Sequence, residues 1–258
     1  MSRAEKIQID AGGDQSITAH YAVPTELYTS RLDETLIIML QSFPSTPLQH
    51  DKLYLTIEFL MVDKGYHTLR FDYRGCGESD GKPQDFSIGS ACEDFQTIMH
   101  WAKSKGYKRF FFVGEGLGAT IALMNMDINV KGLILLWPAL DLNLFRKAAL
   151  NIDTCTEDET QKGYITLDDG QIIGVSLIHD LKKIDIAYAL KQVFVPTIIL
   201  HGARDKKIPI EQLDLARQYL LAKRVEITTF HDGEHGLTKE NHRQSMLFQI
   251  QQFINRYI

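Results

Sequence analysis

The chain has 258 residues, 44% hydrophobic and 24% charged, which predicts one large α/β domain able to bury a sizeable core. Its 28 basic and 33 acidic side chains leave a formal net charge of -5 and are mixed along the sequence, which excludes the clustered basic footprint of a nucleic-acid binder. No apolar run approaches the roughly 20 residues of a membrane span, and Cys76, Cys92 and Cys155 lack metal-ligand spacing, so the expectation is a cytoplasmic protein with reduced thiols, no membrane partner and no metal.

The N-terminus lacks a signal-peptide pattern and leads into two alternating segments, 6–10 and 16–23, joined by Ala11-Gly12-Gly13-Asp14 in the manner of a hairpin. Residues 35–40 are continuously apolar, as a buried central strand is. A polar loop, 41–47, follows. Leu53, Leu55, Ile57, Leu60 and Met61 recur at a helical period over 51–64, and Gly65 stops that helix. A strand over 66–71, a glycine-rich loop over 72–81 and an amphipathic helix over 88–104 come next. A strand is expected over 130–137, ended by Pro138. Residues 141–190 are more polar and less regular, with a small hairpin over 164–174 that turns on Asp169-Gly170, and read as a lid inserted over one edge of the domain. Phe145, Tyr164, Ile173 and Tyr188 either line a pocket there or form the lid's own small core. Strand 197–200, helix 210–222, strand 225–230 and helix 240–257 complete the chain. Met246, Phe248, Ile250, Phe253 and Ile254 give the last helix an apolar side to pack on the sheet, with a second copy of the chain left open as a partner. The alternation predicts a mostly parallel, doubly wound sheet of about eight strands with short antiparallel strands at its start.

One stretch carries chemistry. The run Phe110-Phe111-Phe112-Val113 ends in Gly114-Glu115-Gly116-Leu117-Gly118, and a small apolar, helix-compatible run follows over 119–126. Strand, tight turn and helix in immediate succession match the G-x-S-x-G elbow that holds a nucleophile on a strained backbone, except that Gly116 stands where the serine would be. A dinucleotide fingerprint needs its third glycine one residue beyond Gly118, and a phosphate loop needs Gly-Lys-Ser/Thr; with neither present, no cofactor is expected.

Open α/β sheets bind ligands beyond the carboxyl ends of their strands. That singles out His201-Gly202-Ala203-Arg204-Asp205 after Leu200 and His231-Asp232-Gly233-Glu234-His235 after Phe230. With the turn, the acid and the histidine in that order, the sequence resembles the α/β-hydrolase superfamily, in particular small esterase and acyl-hydrolase members with a short lid. The resemblance covers nearly the whole chain. Residues 72–79 are similar to the family's D-x-R-G-x-G-x-S loop, 201–205 to its H-G-x-x-D acid loop and 233–235 to its G-x-H loop.

The resemblance implies the α/β-hydrolase fold, an acyl or ester-like small molecule as partner, Asp205 as the acid and His235 as the base. His231 is the nearest competitor of His235, and His201 is expected to brace the acid loop. Two departures stand out. Gly116 leaves the nucleophile position vacant, and Gln41-Ser42-Phe43 replaces the family's usual His-Gly, which supplies an oxyanion-hole amide. Backbone N–H groups of Ser42, Phe43 and Leu117 remain candidates for that hole, because amides do not depend on side-chain identity. Losing a triad serine costs about a millionfold in turnover elsewhere. Ser42 and Cys76 lie on neighbouring loops, but neither sits on a strained turn aimed at a histidine. The leading reading is therefore a non-acylating, ligand-binding pseudo-hydrolase. The alternatives are an enzyme whose His235–Asp205 pair activates water or deprotonates a small substrate, and a serine esterase in which Gly116 is an engineered or isolate-specific change.

Overall fold

A computed structural model describes residues 4–25, 30–43 and 49–258. Strands β1 (Glu5–Gly12) and β2 (Gln15–Ala22) form the antiparallel hairpin. The turn is tighter than expected: β1 runs on to Gly12, and Gly13 and Asp14 reverse the chain with φ of 60° and 58°, the two positive angles of a turn whose twist suits adjoining strands. A short helix α1 (Ser30–Asp33) precedes β3 (Thr35–Leu40), which is buried along its whole length. Of the polar loop expected over 41–47, residues 44–47 lie outside the described residues.

Helix α2 (Gln49–Asp63), strand β4 (His67–Phe71) and helix α3 (Ile88–Ser104) follow. Ser87 and Ser90 begin α3 with a reciprocal capping box, which satisfies two amides that the first turn would otherwise leave without partners. Next come β5 (Arg109–Glu115), α4 (Leu117–Met124) and β6 (Val130–Leu136). Residues 141–190 hold α5 (Leu142–Ala149), α6 (Glu157–Lys162), the hairpin β7 (Tyr164–Thr166) and β8 (Ile172–Gly174), α7 (Val175–Lys183) and the start of α8 (Ala187–Lys191). The chain ends with β9 (Thr197–Gly202), α9 (Gln212–Tyr219), β10 (Val225–Phe230) and α10 (Glu240–Tyr257).

Eight strands make one sheet in the order β1-β2-β4-β3-β5-β6-β9-β10, parallel from β4 onward. The chain leaves β3 to one side for β4, then crosses back to lay β5 on the other. That reversal opens a crevice beyond the carboxyl ends of β3 and β5, the usual place for a ligand in such a sheet. The pairing of Leu40 with Gly114 sets the two strand ends side by side. Gly118 makes this contact sterically feasible: a Cβ there would lie 2.0 Å from the Leu40 carbonyl oxygen.

The 72–79 loop holds the crevice from below. The buried Asp72 carboxylate accepts from the Glu78 N–H and from Gln41 Nε2, both at 2.9 Å, and so ties down the loop that follows β3. Arg74 pairs at 2.5 Å with Asp94, which is buried. On α10 the expected apolar side is confirmed for Met246, Ile250, Phe253 and Ile254, but Phe248 is exposed. It stands two residues from Met246, about 200° around the helix, and so faces away from the sheet. Among the described residues no helix is long and apolar enough to cross a membrane. Replacing Gly118 with alanine forces a Cβ into backbone that cannot yield, so urea unfolding of that variant should show a loss of about 3 kcal/mol; an unchanged midpoint would mean that the β3–α4 contact is not rigid.

Candidate active site

The loops after β9 and β10 are tied to each other by main-chain bonds. The Ala203 N–H donates to the Phe230 carbonyl and the Arg204 N–H to that of Gly233, each at 2.8 Å. This lacing brings Asp205 and His235 together: His235 Nδ1 lies 2.8 Å from Asp205 Oδ2. The other carboxylate oxygen accepts from the backbone N–H groups of Lys207 and Ile208 at 2.9 and 2.8 Å. A buried carboxylate is tolerable only when such donors replace its water. Asp205 acts as acceptor, so His235 Nδ1 carries the ring proton and Nε2 is the basic nitrogen.

His201 is buried, which depresses its basicity, and as a neutral ring it donates through Nε2 to the Ile208 carbonyl at 2.8 Å. It braces the acid loop, as expected. His231 is exposed, and the structure pairs His235, not His231, with Asp205. Burial pushes the Cys76 thiol up, away from a reactive thiolate.

Gly116 lies at the tip of the elbow, with φ 50° and ψ -119° at the start of α4. A residue with a side chain is strained there by about 1–3 kcal/mol, and glycine is not. The strand-to-helix turn carries no side chain at its tip. Above it sits Ser42. Its Oγ lies 2.4 Å from where a Cβ on Gly116 would be, and accepts the Leu117 N–H at 3.3 Å. The Ser42 N–H itself donates to the Glu115 carboxylate. Phe43 turns its ring down, stacked on Phe86 with centroids 3.9 Å apart. Two of the three amides expected for an oxyanion hole are therefore answered from within the chain.

A cavity of about 270 Å³ opens over this point, lined by Ser42, Phe43, Phe145, Leu150, Lys207 and His235 among others. Of the four side chains expected either to line a pocket or to pack within the lid, Phe145 lines the cavity, Tyr164 is half-buried and not part of its lining, Ile173 is fully buried in the core and Tyr188 is 73% exposed. A wider, open cleft lies on the other side of His235, against Arg204, Lys206 and Glu234.

A protein-family model for serine aminopeptidases of the S33 type matches residues 48–164. The human protein ABHD12B is 24% identical over 76% of this chain, a match that spans 54% of its own length. Mouse ABHD10, a mitochondrial palmitoyl-protein thioesterase, is 24% identical over 78% of this chain and 70% of its own. The structure of Est1E from Butyrivibrio proteoclasticus with bound ferulic acid superposes with a TM-score of 0.79, at 21% identity, over 97% of this chain and 98% of Est1E. The ABHD10 structure gives 0.76 at 18% identity over 98% and 99%.

The chain has the α/β-hydrolase fold. Within that fold two residues at the elbow escaped notice in the sequence. Trp137 follows β6 with a positive φ of 35° and lays its ring edge-on to His235, centroids 5.9 Å apart. Its only sequence signal is an aromatic before Pro138. Glu115 is the other, and its signal is plainer: a lone carboxylate ending a strand that is apolar from Phe110 to Gly114. Burial pushes its carboxyl up to about 7, with Arg243 and the Ser42 N–H offsetting part of that cost.

Folded Glu115 therefore keeps its proton between its ordinary 4.5 and about 7, where the unfolded chain has lost it. Its contribution is complete below that window and fades as pH rises through it. Replacing Glu115 with glutamine removes the slope. The difference in unfolding free energy between variant and parent should grow by about 3 kcal/mol from pH 4.5 to 7.5; a difference independent of pH in urea titrations would count against the buried acid.

Proposed function

We propose that this protein is a non-acylating member of the hydrolase fold that binds an acyl or ester-like small molecule between the 141–190 lid and the elbow. The observation that carries the proposal is the contrast at the site. The elbow backbone stands at φ 50° and ψ -119° with no side chain at its tip, while the Asp205–His235 pair stays held at 2.8 Å. Phe145, Leu150 and Leu167 supply apolar wall, and Lys207 and His235 supply polar contacts for the ligand's oxygen atoms. A space of about 270 Å³ suits a small acyl or aryl group. Ferulic acid in Est1E and the thioesterase name of ABHD10 support acyl compounds as the class. Three free thiols suit a reducing, cytoplasmic setting.

The intact pair favours one second reading, in which His235 draws a proton from water or from the ligand itself, with no covalent step. One set of assays separates the two. On the first reading a fluorophosphonate probe leaves the parent unlabelled, and 4-nitrophenyl butyrate is hydrolysed at the background rate. Saturation-transfer NMR detects the amide analogue, 4-nitrophenyl butyramide, on the parent. Filling the cavity by Leu150→Trp weakens that binding at least about tenfold, or ~1.4 kcal/mol. Hydrolysis by the parent that disappears in His235→Ala would establish the second reading instead. Hydrolysis that survives His235→Ala would sink both.

A further inference from the structure

We infer that Ser42 occupies the seat of the missing nucleophile, so that residues 42 and 116 are mutually exclusive and the site stays closed to acyl transfer even when residue 116 is serine. This rests on the non-acylating reading above and names the residue that enforces it.

Three observations converge. The first is space. A Cβ on Gly116 would lie 2.4 Å from Ser42 Oγ and 2.9 Å from Ser42 Cβ. The second distance involves an atom that no rotation of the Ser42 side chain can remove, so a serine at 116 must shift the loop that follows β3. That loop is anchored, because the Gln41 amide is held on buried Asp72 at 2.9 Å. The second observation is the hydrogen bond. Ser42 Oγ accepts the N–H of Leu117 at 3.3 Å. In this fold the amide after the nucleophile is a donor for the charge that develops in acyl transfer. Here a side chain already takes it. The third is the Ser42 N–H, which points away from the cavity to the Glu115 carboxylate. The hydroxyl has in effect moved from the tip of the elbow to the loop facing it, where it fills both the nucleophile's space and the oxyanion's. A ligand carbonyl entering the cavity meets the Ser42 hydroxyl before it can reach the Leu117 amide.

The test is a set of four proteins: the parent, Gly116→Ser, Ser42→Gly and the double variant. Ser42→Gly keeps the backbone N–H to Glu115 and removes both crowding atoms. Labelling by a fluorophosphonate, with the modified peptide mapped, is expected only at residue 116 and chiefly in the double variant. Its rate should exceed that of Gly116→Ser by about a hundredfold, the scale of one restored oxyanion donor. The second measurement needs no activity. Gly116→Ala should lower the melting temperature, and lower it less in the Ser42→Gly background, because part of the loss is the collision. Equal losses in both backgrounds would overturn the inference, as would Gly116→Ser labelling as fast as the double variant, or a folded double variant that does not label. Each of those leaves the ligand-binding reading standing. Label on Ser42 in the parent would overturn both, since Ser42 would then itself be a nucleophile.

Discussion

The parallel pairing of β3 with β5, with Leu40 beside Gly114, is the contact from which the rest of the site follows. It sets two loops far apart in sequence one above the other at the point where the sheet reverses its winding. Gly118 lets α4 start directly against the Leu40 carbonyl, and no residue with a Cβ could sit there without moving backbone. With that contact fixed, Ser42 has nowhere to go but over the elbow. Asp72 then locks the arrangement through Gln41. The 72–79 loop, conspicuous as a motif, acts here at one remove, by holding the loop that lines the cavity.

The site has two halves, and they are supported independently. The Asp205–His235 half belongs to β9 and β10, whose loops are joined by backbone hydrogen bonds, and the Asp205 carboxylate is satisfied by three donors. The elbow half belongs to β3 and β5. The bonds that hold Asp205 to His235 come from the loops after β9 and β10. A nucleophile held at φ 50° is a strained residue kept for its chemistry. Glycine is unstrained there, and Ser42 lies over it and accepts the Leu117 N–H.

Much of this was legible in the residues. Asp205 and His235 could be picked out because each follows a strand in a sheet whose order the motifs imply, and β3, α3 and α10 show their extents through an apolar run or a helical period. What was not legible was contact across the fold. Tyr188 and Ile173 have the composition of pocket residues, yet one points to solvent and the other into the core, a difference set by how the 142–191 helices pack. Phe248 fits an apolar list but not an apolar face, a geometric point that counting residues misses. In the sequence Ser42 offers an oxyanion-hole amide or, less well placed, a stand-in hydroxyl; in the structure that hydroxyl accepts the Leu117 N–H at the elbow, and the Ser42 amide serves Glu115.

The sequence by itself determined the strand–turn–helix with glycine at its tip, the order of acid and histidine, and the absence of a serine at residue 116. These are local facts, carried by glycine spacing, apolar periodicity and position along the chain. Only the tertiary structure decided that the Ser42 hydroxyl lies over Gly116 and that Glu115 is buried beside them. Both depend on the distance between loops that lie some seventy residues apart, and such distances are set by strand register and crossover direction, which no stretch of residues encodes on its own.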